Sequence, residues 1–176
     1  VQDHLRQLES ALQGQRRVLR QVKVPSGIQA LTDAAGQGPR VHRDGDCVHL
    51  RVGAAQRLLL AGYSSVAQYC AEFAKAMGFE VVLCEPREEV LEGVQIDGIE
   101  VRRELPSEFI FNGGCHADTA VVALTHDPKI DDLAMLEAVR TEAFYIGVMG
   151  SRATSDKRRE RLHRIGGLDT NALDRI

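Results

Sequence analysis

One stretch of the sequence, residues 57–84, constrains the fold more than any other. Two apolar runs, 58–61 and 79–84, flank a segment whose apolar residues recur at helical spacing, namely Val66, Ala67, Cys70, Ala74 and Met77. Gly62 follows the first run, and Gly78 stands where a helix C-cap glycine belongs. A strand–helix–strand unit of about 30 residues predicts a parallel sheet with a right-handed crossover.

The chain beyond this unit continues to alternate strands and helices. Residues 119–124 are apolar throughout and predict a central strand, and residues 143–148 predict another buried strand. We therefore predict an α/β fold over residues 56–176, a Rossmann-like doubly wound parallel sheet. The other elements expected there are short strands at 99–101 and 109–111, a helix N-capped by Asp132 and carrying Leu133, Leu136 and Val139, and a charged helix at 154–164.

Residues 1–55 lack the strand–helix–strand pattern of the rest of the chain. Their pattern predicts a small N-terminal α+β appendage. Residues 40–52 read as a β-hairpin, and the dipeptide Asp44-Gly45 is typical of its tight turn. The elements expected before the hairpin are a helix carrying Leu5, Leu8 and Leu12 and ending at Gly14, a strand at 17–24, and a short helix carrying Ile28, Leu31 and Ala34 and ending near Gly36.

Composition excludes several classes of protein. With 44% hydrophobic residues and a formal net charge of −3, the chain is neither a disordered protein nor a basic nucleic-acid binder. Its apolar runs are too short to span a membrane. The four cysteines show no CxxC spacing, which favours free thiols in a reducing compartment, and we predict a cytoplasmic protein. The chain begins with Val1 rather than Met, which favours a fragment of a longer protein.

The turn after the first strand is the natural place for a phosphate group, because a helix N-terminus presents free amides there. A dinucleotide fingerprint needs G-x-G-x-x-G/A, and the sequence offers Gly62 and Ala67 but has Ser64 at the central glycine. Glu85 ends the second strand, where an acidic residue holds ribose hydroxyls. Three alternatives remain: a dinucleotide site, a tight turn without a ligand, and a site where Ser64 and Ser65 hydroxyls bind another phosphorylated ligand.

The loop THDPKIDD, residues 125–132, follows the most apolar strand. Ligands of open α/β sheets bind at the carboxyl ends of the strands. This loop places ionisable side chains there, which favours ligand binding or catalysis. The alternative is that Asp131 and Asp132 cap the next helix. The ionisable residues are His126, Asp127, Lys129, Asp131 and Asp132.

The stretch YIGVMGSR, residues 145–152, ends the next strand. Gly147, Gly150, Ser151 and Arg152 there suit close approach to a phosphate or a carboxylate. The alternative is a plain helix N-terminus capped by Ser151 or Thr154. The helix that follows is expected to turn a solvated, charged face outward, with Lys157, Arg158, Arg159, Arg161 and Arg164.

Cysteines and histidines give weaker signals. Cys115 beside His116 suggests an activated thiolate, a soft-metal ligand or an incidental pair, and the sequence predicts Cys84 to be a buried strand residue. His4, His42, His49 and His163 show no ligand-like grouping, and we predict neither catalytic residues nor a metal site.

Three stretches together resemble the XdhC/CoxI family, the accessory proteins of xanthine dehydrogenase and carbon monoxide dehydrogenase. They are RLLLAGYSSVAQYCAEFAKAMGFEVVLCEPREE, TAVVALTHDPKIDD and FYIGVMGSRATSDKRRERL, in this order. Family turns usually read close to GAGHVA, where this chain has Ser64 and Ser65. The N-terminal GS-x-PR and GSVSGGC-like segments of the family are not found in residues 1–52.

The resemblance implies a maturation factor that binds molybdenum cofactor (molybdopterin). Such a protein is expected to aid sulfuration of the cofactor with a cysteine desulfurase and to deliver it to an apo-molybdoenzyme of the xanthine dehydrogenase type. The oligomeric state stays open, with a homodimer as one alternative. Two other functions stay open: an NAD(P)- or FAD-dependent oxidoreductase, and a non-catalytic sensor or interaction module. The expected cofactor-binding residues are Gly62, Ser64, Ser65, Ala67, Glu85, Arg87, His126, Asp127, Lys129, Asp131, Gly150, Ser151 and Arg152.

Overall fold

A computed structural model describes residues 2–12, 18–34, 41–53, 56–125 and 127–176. The chain forms two compact units, 1–55 and 56–176, which are described separately below.

The N-terminal unit is a four-stranded antiparallel sheet with one described helix, in the strand order β2-β1-β4-β3. The predicted first helix, strand and hairpin are confirmed, and the predicted helix end at Gly14 lies outside the described residues. The predicted short helix over residues 28–36 is wrong for its described part, which forms strand β2; residues 35 and 36 lie outside the described residues. The elements are α1 (Gln2–Leu12), β1 (Val18–Lys23), β2 (Gln29–Asp33), β3 (Val41–Asp44) and β4 (Cys47–Val52).

Two features of this unit explain why the prediction for β2 and the predicted position of the hairpin turn were wrong. Strand β2 lies at the sheet edge and leaves four of its five residues exposed, so the apolar/polar alternation that marks a strand is missing. The hairpin loop is Gly45-Asp46, one residue later than predicted, because Asp44 pairs with Cys47 and Gly45 takes a positive φ of 57°.

The C-terminal unit contains a five-stranded parallel sheet, in the order β7-β6-β5-β8-β9. This confirms the predicted α/β, Rossmann-like fold. Strand β8 is an interior strand, and β5 occupies the middle position. After β5 the chain adds β6 and β7 on one side of it, and it then crosses over to add β8 and β9 on the other side. Folds of this kind bind ligands at the point between β5 and β8 where the strand order reverses. The strands are β5 (Arg57–Ala61), β6 (Glu80–Cys84), β7 (Glu100–Arg102), β8 (Thr119–Ala123) and β9 (Tyr145–Val148).

Helices cover both faces of this sheet, as a doubly wound fold requires. Alternate residues of β5 point to opposite faces, so Leu59 joins one buried cluster with Met135 and Leu60 joins the other with Ala71. A π-helical turn, Ile110–Gly114, follows α4. The helices are α2 (Ser65–Ala76), α3 (Glu88–Leu91), α4 (Pro106–Phe109), α5 (Pro128–Ala138), α6 (Arg152–Arg164) and α7 (Thr170–Leu173).

Two predicted elements of this unit are wrong. Residues 109–111 are helical rather than extended, because Pro106 starts a helical turn that runs on through Ile110. Asp132 is not the N-cap of α5: the cap is Asp127, whose side chain accepts a hydrogen bond from the Lys129 amide at 2.9 Å. Asp132 therefore sits inside the helix with its carboxylate available to other partners.

Among the helices of the described ranges, none combines the length and the apolar character that crossing a bilayer demands.

Candidate functional site

The turn after β5 is held closed by its own neighbours. Gly62 has a φ of 91°, and its amide donates to the Cys84 carbonyl at 2.8 Å. A Cβ at this position would lie 1.6 Å from Cγ2 of Thr125 and 3.6 Å from Oε2 of Glu85. The absence of a side chain at Gly62 is therefore required by packing against the loop after β8, before any ligand is considered.

Ser64 is the N-cap of α2. Its backbone is extended, and its hydroxyl accepts a hydrogen bond from the Ala67 amide at 3.2 Å. Ala67 is fully buried, whereas Ser65 is exposed at the first position of the helix. Because helix N-termini leave their first amides without intrahelical partners, the amides of Ser65 and Val66 are available to a ligand.

Glu85 lies directly beneath this turn and has no exposed surface. Its Oε2 accepts hydrogen bonds from the Tyr63 amide at 2.9 Å and from Nη2 of Arg87 at 2.8 Å. Its Oε1 accepts from the Arg87 amide at 3.0 Å and from Nε at 2.8 Å. Burial raises the pKa of Glu85, but the hydrogen bonds from Arg87 and Tyr63 outweigh it, so that the net pKa lies below the ordinary value.

Replacing Glu85 with Gln is expected to lower the free energy of unfolding at neutral pH by about 2 kcal/mol, because donors from Tyr63 and Arg87 lose their ionised acceptor. A depressed folded-state pKa contributes stability above the ordinary value of 4.5, and this contribution is lost as pH falls below it. Urea unfolding between neutral and acidic pH should therefore show a shallower acid loss in the variant. Glu92→Gln, at an exposed position, is the control and should keep the wild-type pH profile.

The loop after β8 is organised by Thr125. Its hydroxyl donates to Oδ1 of Asp131 at 2.7 Å and accepts a hydrogen bond from the Asp127 amide at 2.8 Å. Lys129 is exposed in the first turn of α5. His126, which we predicted from the sequence as a cofactor-binding residue of this loop, lies outside the described residues. The loop therefore presents Lys129 outward while Asp127 and Asp131 are engaged with the backbone and with Thr125.

Arg158 joins α5 to α6 through an ion-pair network in which Arg158 and Asp131 are buried and Asp132 and Arg161 are partly exposed. Its Nη2 lies 3.2 Å from Oδ2 of Asp131, and its Nε lies 2.9 Å from Oδ1 of Asp132. Nε of Arg161 reaches Oδ2 of Asp132 at 2.8 Å. The predicted solvated face is thus wrong for Arg158, which is only 3% exposed.

Asp131 is 1% exposed and lies at the centre of this network. Burial raises the pKa of its carboxyl, and the hydrogen bonds from Thr125 and the charge of Arg158 counter only part of that rise. The sequence left open that Asp131 and Asp132 cap α5. In the structure both carboxylates bind Arg158.

One nitrogen of Arg158 remains without a partner. Its Nη1 is buried and has no hydrogen-bond partner among the described residues. It lies 3.5 Å from the position that a Cβ on Gly150 would take. Gly150 precedes Ser151, the N-cap of α6, whose hydroxyl accepts a hydrogen bond from the Thr154 amide at 3.2 Å. Arg152 is exposed in the first turn. The carboxyl end of β9 therefore combines an orphaned guanidinium donor with a helix N-terminus.

Neither Cys84 nor Cys115 is an activated thiolate. All four cysteines are free thiols. Burial is the main cause that raises the pKa of Cys84 to about 12 and that of Cys115 to about 11, so both remain protonated at neutral pH. Across the described ranges, no group of three or more His, Cys, Asp or Glu side chains is converged on a metal-binding point.

Sequence reasoning missed Arg158, and one signal would have found it. Helix α6 contains a single large apolar residue, Leu162, which is 3% exposed. A helix that packs one face on a sheet needs more buried positions than this, and the position one turn earlier on the same face is Arg158. Its acidic partners come from a different helix, and spacing within one helix does not reveal them.

Comparison with known proteins agrees with the fold of residues 56–176. Residues 58–176 match the family model described as the XdhC Rossmann domain. Among solved structures, the chain is similar to one described as a xanthine dehydrogenase from Bacillus halodurans, with 17% sequence identity and a TM-score of 0.66. The match covers 90% of this chain and 55% of that chain, so this chain spans about half its length. No curated protein matches the sequence. At this identity the structural likeness shows the fold alone.

Proposed function

This chain belongs to the XdhC family, as its sequence motifs predicted, and we propose that it is a maturation factor for a molybdoenzyme of the xanthine dehydrogenase type. In this proposal it binds molybdenum cofactor in the cytoplasm. It holds the cofactor while a cysteine desulfurase supports its sulfuration, and then hands it to the apo-enzyme. The bound cofactor would supply the molybdenum centre on which the client's chemistry depends, and the residues of this chain bind and release it.

The observation that carries the proposal is the orphaned Nη1 of Arg158 beside Gly150. A buried guanidinium nitrogen without an acceptor favours an anionic group at this point. Molybdopterin ends in a phosphate, which is such a group. The donors present therefore fit the cofactor at the carboxyl edge of the sheet.

Other residues at the same edge support this assignment. The open amides of Ser65 and Val66 and the exposed cations Lys129 and Arg152 would hold the phosphate and neighbouring polar atoms. Arg87 adds a partly exposed guanidinium whose charge is balanced by Glu85. Asp131 would act indirectly, by fixing the orientation of Arg158, while Asp127 caps α5 beside Lys129.

The rival oxidoreductase function needs Glu85 to bind ribose hydroxyls. Glu85 has no exposed surface, and four hydrogen bonds already engage its two oxygens. Reaching a ribose would require this buried arrangement to open. The geometry therefore favours a phosphorylated ligand that makes no contact with Glu85 over a dinucleotide whose ribose depends on it.

The test is to co-express the chain with an active cofactor pathway and measure the pterin that co-purifies with it. We expect retained pterin, and we expect a Lys129→Ala, Arg152→Ala double variant to retain about tenfold less, because charge-assisted contacts to the phosphate are lost. Arg164→Ala removes an exposed cation in the last turn of α6, at the opposite end of the helix from this edge, and should retain the wild-type amount.

Two results would contradict the proposal. One is a pterin content no higher than that of an unrelated protein purified in parallel. The other is the release of a nicotinamide or flavin dinucleotide in place of the pterin, which would support the oxidoreductase function.

A further inference from the structure

Helix α2 carries apolar residues on two of its sides. Its inner side packs on the sheet through three buried alanines. A second row, formed by Tyr69, Phe73 and the C-cap residue Met77, recurs at intervals of four residues, a spacing that aligns side chains along one side of a helix. Because a helix at the surface of a soluble domain ordinarily turns polar residues toward water, this second row points to a partner.

This row, which we call the α2 ridge, is open to solvent. Tyr69 is 61% exposed, Phe73 is 67% exposed and Met77 is 70% exposed. In the part of the chain that the structure describes, the three side chains belong to neither buried cluster of the sheet. Val66, one turn before Tyr69, is a further exposed apolar residue. Single exposed apolar residues are common, whereas a contiguous row of large ones marks an interaction surface.

We propose that the α2 ridge is the contact surface of a homodimer, in which the α2 helices of two copies pack antiparallel across a two-fold axis at Phe73. Ridges formed by residues four apart interdigitate in the commonest class of helix packing. A two-fold axis makes one surface meet itself, so that each contact from one residue to another is repeated in the reverse direction. A ridge with Phe73 at its middle meets itself in this way.

The antiparallel arrangement gives each residue of the ridge a suitable partner. With the axis at Phe73, the two Phe73 rings pair with each other, and Tyr69 lies opposite Met77 of the second copy. Aromatic rings attract one another in offset or edge-to-face pairs, and a methionine sulfur makes favourable contacts with a ring. Because symmetry repeats the contact between Tyr69 and Met77, all three side chains of the ridge are covered.

The charges beside the ridge favour the same arrangement. Glu72 and Lys75 are exposed, and both lie on the same flank of the ridge. Antiparallel pairing brings Glu72 level with Lys75 of the second copy, so opposite charges meet at this flank. A parallel pair would instead place each charge level with its own kind and would align the two helix dipoles unfavourably.

The area of the ridge sets the strength of the dimer. Large aromatic side chains bury about 150–250 Å² each, so the ridge and the flanking Val66 bury on the order of 1,000 Å² over both copies. This area is near the lower limit for a specific interface. We therefore expect a reversible dimer with a Kd on the order of 10 µM rather than an obligate one.

The dimer is independent of the proposed cofactor function. The ridge shares no residue with the expected cofactor-binding set, and dimerisation is measured on the purified chain whether or not pterin is retained. A chain that binds no pterin can still dimerise through α2, and a monomeric chain can still bind pterin.

The test is sedimentation velocity of the full chain, over concentrations from about 1 to 200 µM that span the expected Kd. We expect a concentration-dependent shift from monomer to dimer. Phe73→Glu should weaken the dimer by about thirtyfold or more, because two carboxylates would meet at the centre of the contact. Phe111→Glu is the matched control, since Phe111 is a similarly exposed phenylalanine outside the ridge, and it should keep the wild-type dimer.

A mixing experiment tests the antiparallel arrangement. Tyr69→Lys and Met77→Glu should each weaken the dimer by about tenfold when studied alone. An equimolar mixture of the two variants should recover most of that loss, because the introduced ammonium then faces the introduced carboxylate across the axis. Thermal unfolding followed by circular dichroism establishes that each variant is folded.

Three results would count against this interface. A folded wild-type chain that stays monomeric over this concentration range would overturn the proposal and leave the ridge to a different protein. Equal dimer strength in Phe73→Glu and in the wild type would overturn it as well. A mixture of Tyr69→Lys and Met77→Glu that gains nothing over the separate variants would rule out the antiparallel arrangement.

Discussion

Replacing Gly62 with Ala is expected to lower the free energy of unfolding by about 3–4 kcal/mol. Two effects add: an L-residue at a φ of 91° carries about 1 kcal/mol of backbone strain, and a Cβ 1.6 Å from Cγ2 of Thr125 forces that loop to move. The second effect should be as large as a typical overpacking penalty, about 2–3 kcal/mol. Urea unfolding followed by circular dichroism measures the loss in the free energy of unfolding.

Gly78→Ala is the matched control for this prediction. Gly78 has a similar φ of 84°, but nothing lies within 4 Å of its would-be Cβ, so the variant should lose only about 1 kcal/mol. Thr125→Ser removes Cγ2 while keeping the hydroxyl bonded to Asp131, and it should recover part of the Gly62→Ala loss in the double variant. Equal losses at Gly62 and Gly78 would contradict the proposed packing between the two loops.

Replacing Arg158 with Met is expected to cost about 3–5 kcal/mol, because the change leaves Asp131 buried without its cationic partner. The loss should shrink as pH falls. Without Arg158 the pKa of Asp131, already raised by burial, rises further, and protonation then removes the uncompensated charge. Urea unfolding of variant and wild type at neutral and acidic pH tests both expectations.

Arg159→Met is the control at the adjacent position. Its partner Asp174 is exposed, and exposed ion pairs contribute less than about 1 kcal/mol. A similar loss in Arg158→Met and Arg159→Met, or a loss that grows on acidification, would show that the buried network does not stabilise the fold in this way.

The sheet was predictable because its interior strands are buried on both faces. Residues 58–61 and 79–84 therefore read as continuous apolar runs, which need no knowledge of partners. Strand β2 was missed because it is an exposed edge strand without alternation. Residues 109–111 were assigned to a strand from their apolar character, while Pro106, a few residues earlier, starts a helix there.

The candidate site was predictable in position and less so in its contacts. The loops after β5, β8 and β9 lie at the carboxyl edge by topology alone, so Gly62, Thr125 and Gly150 fall into place once the strands are known. The pairing of Arg158 with Asp131 joins two helices across the tertiary structure. Spacing within either helix does not reveal this pair.

In the proposed function, the network that joins Thr125, Asp131, Arg158 and Asp132 has a consequence for the timing of ligand release. A pre-organised rim loses little conformational freedom when a ligand arrives, so most of the contact energy appears as affinity. Lys129 and Arg152 are exposed, so they would be accessible to a client surface in the proposed hand-over. We therefore expect the residence time of the bound cofactor to depend on the exposed cations, and its orientation on the buried guanidinium.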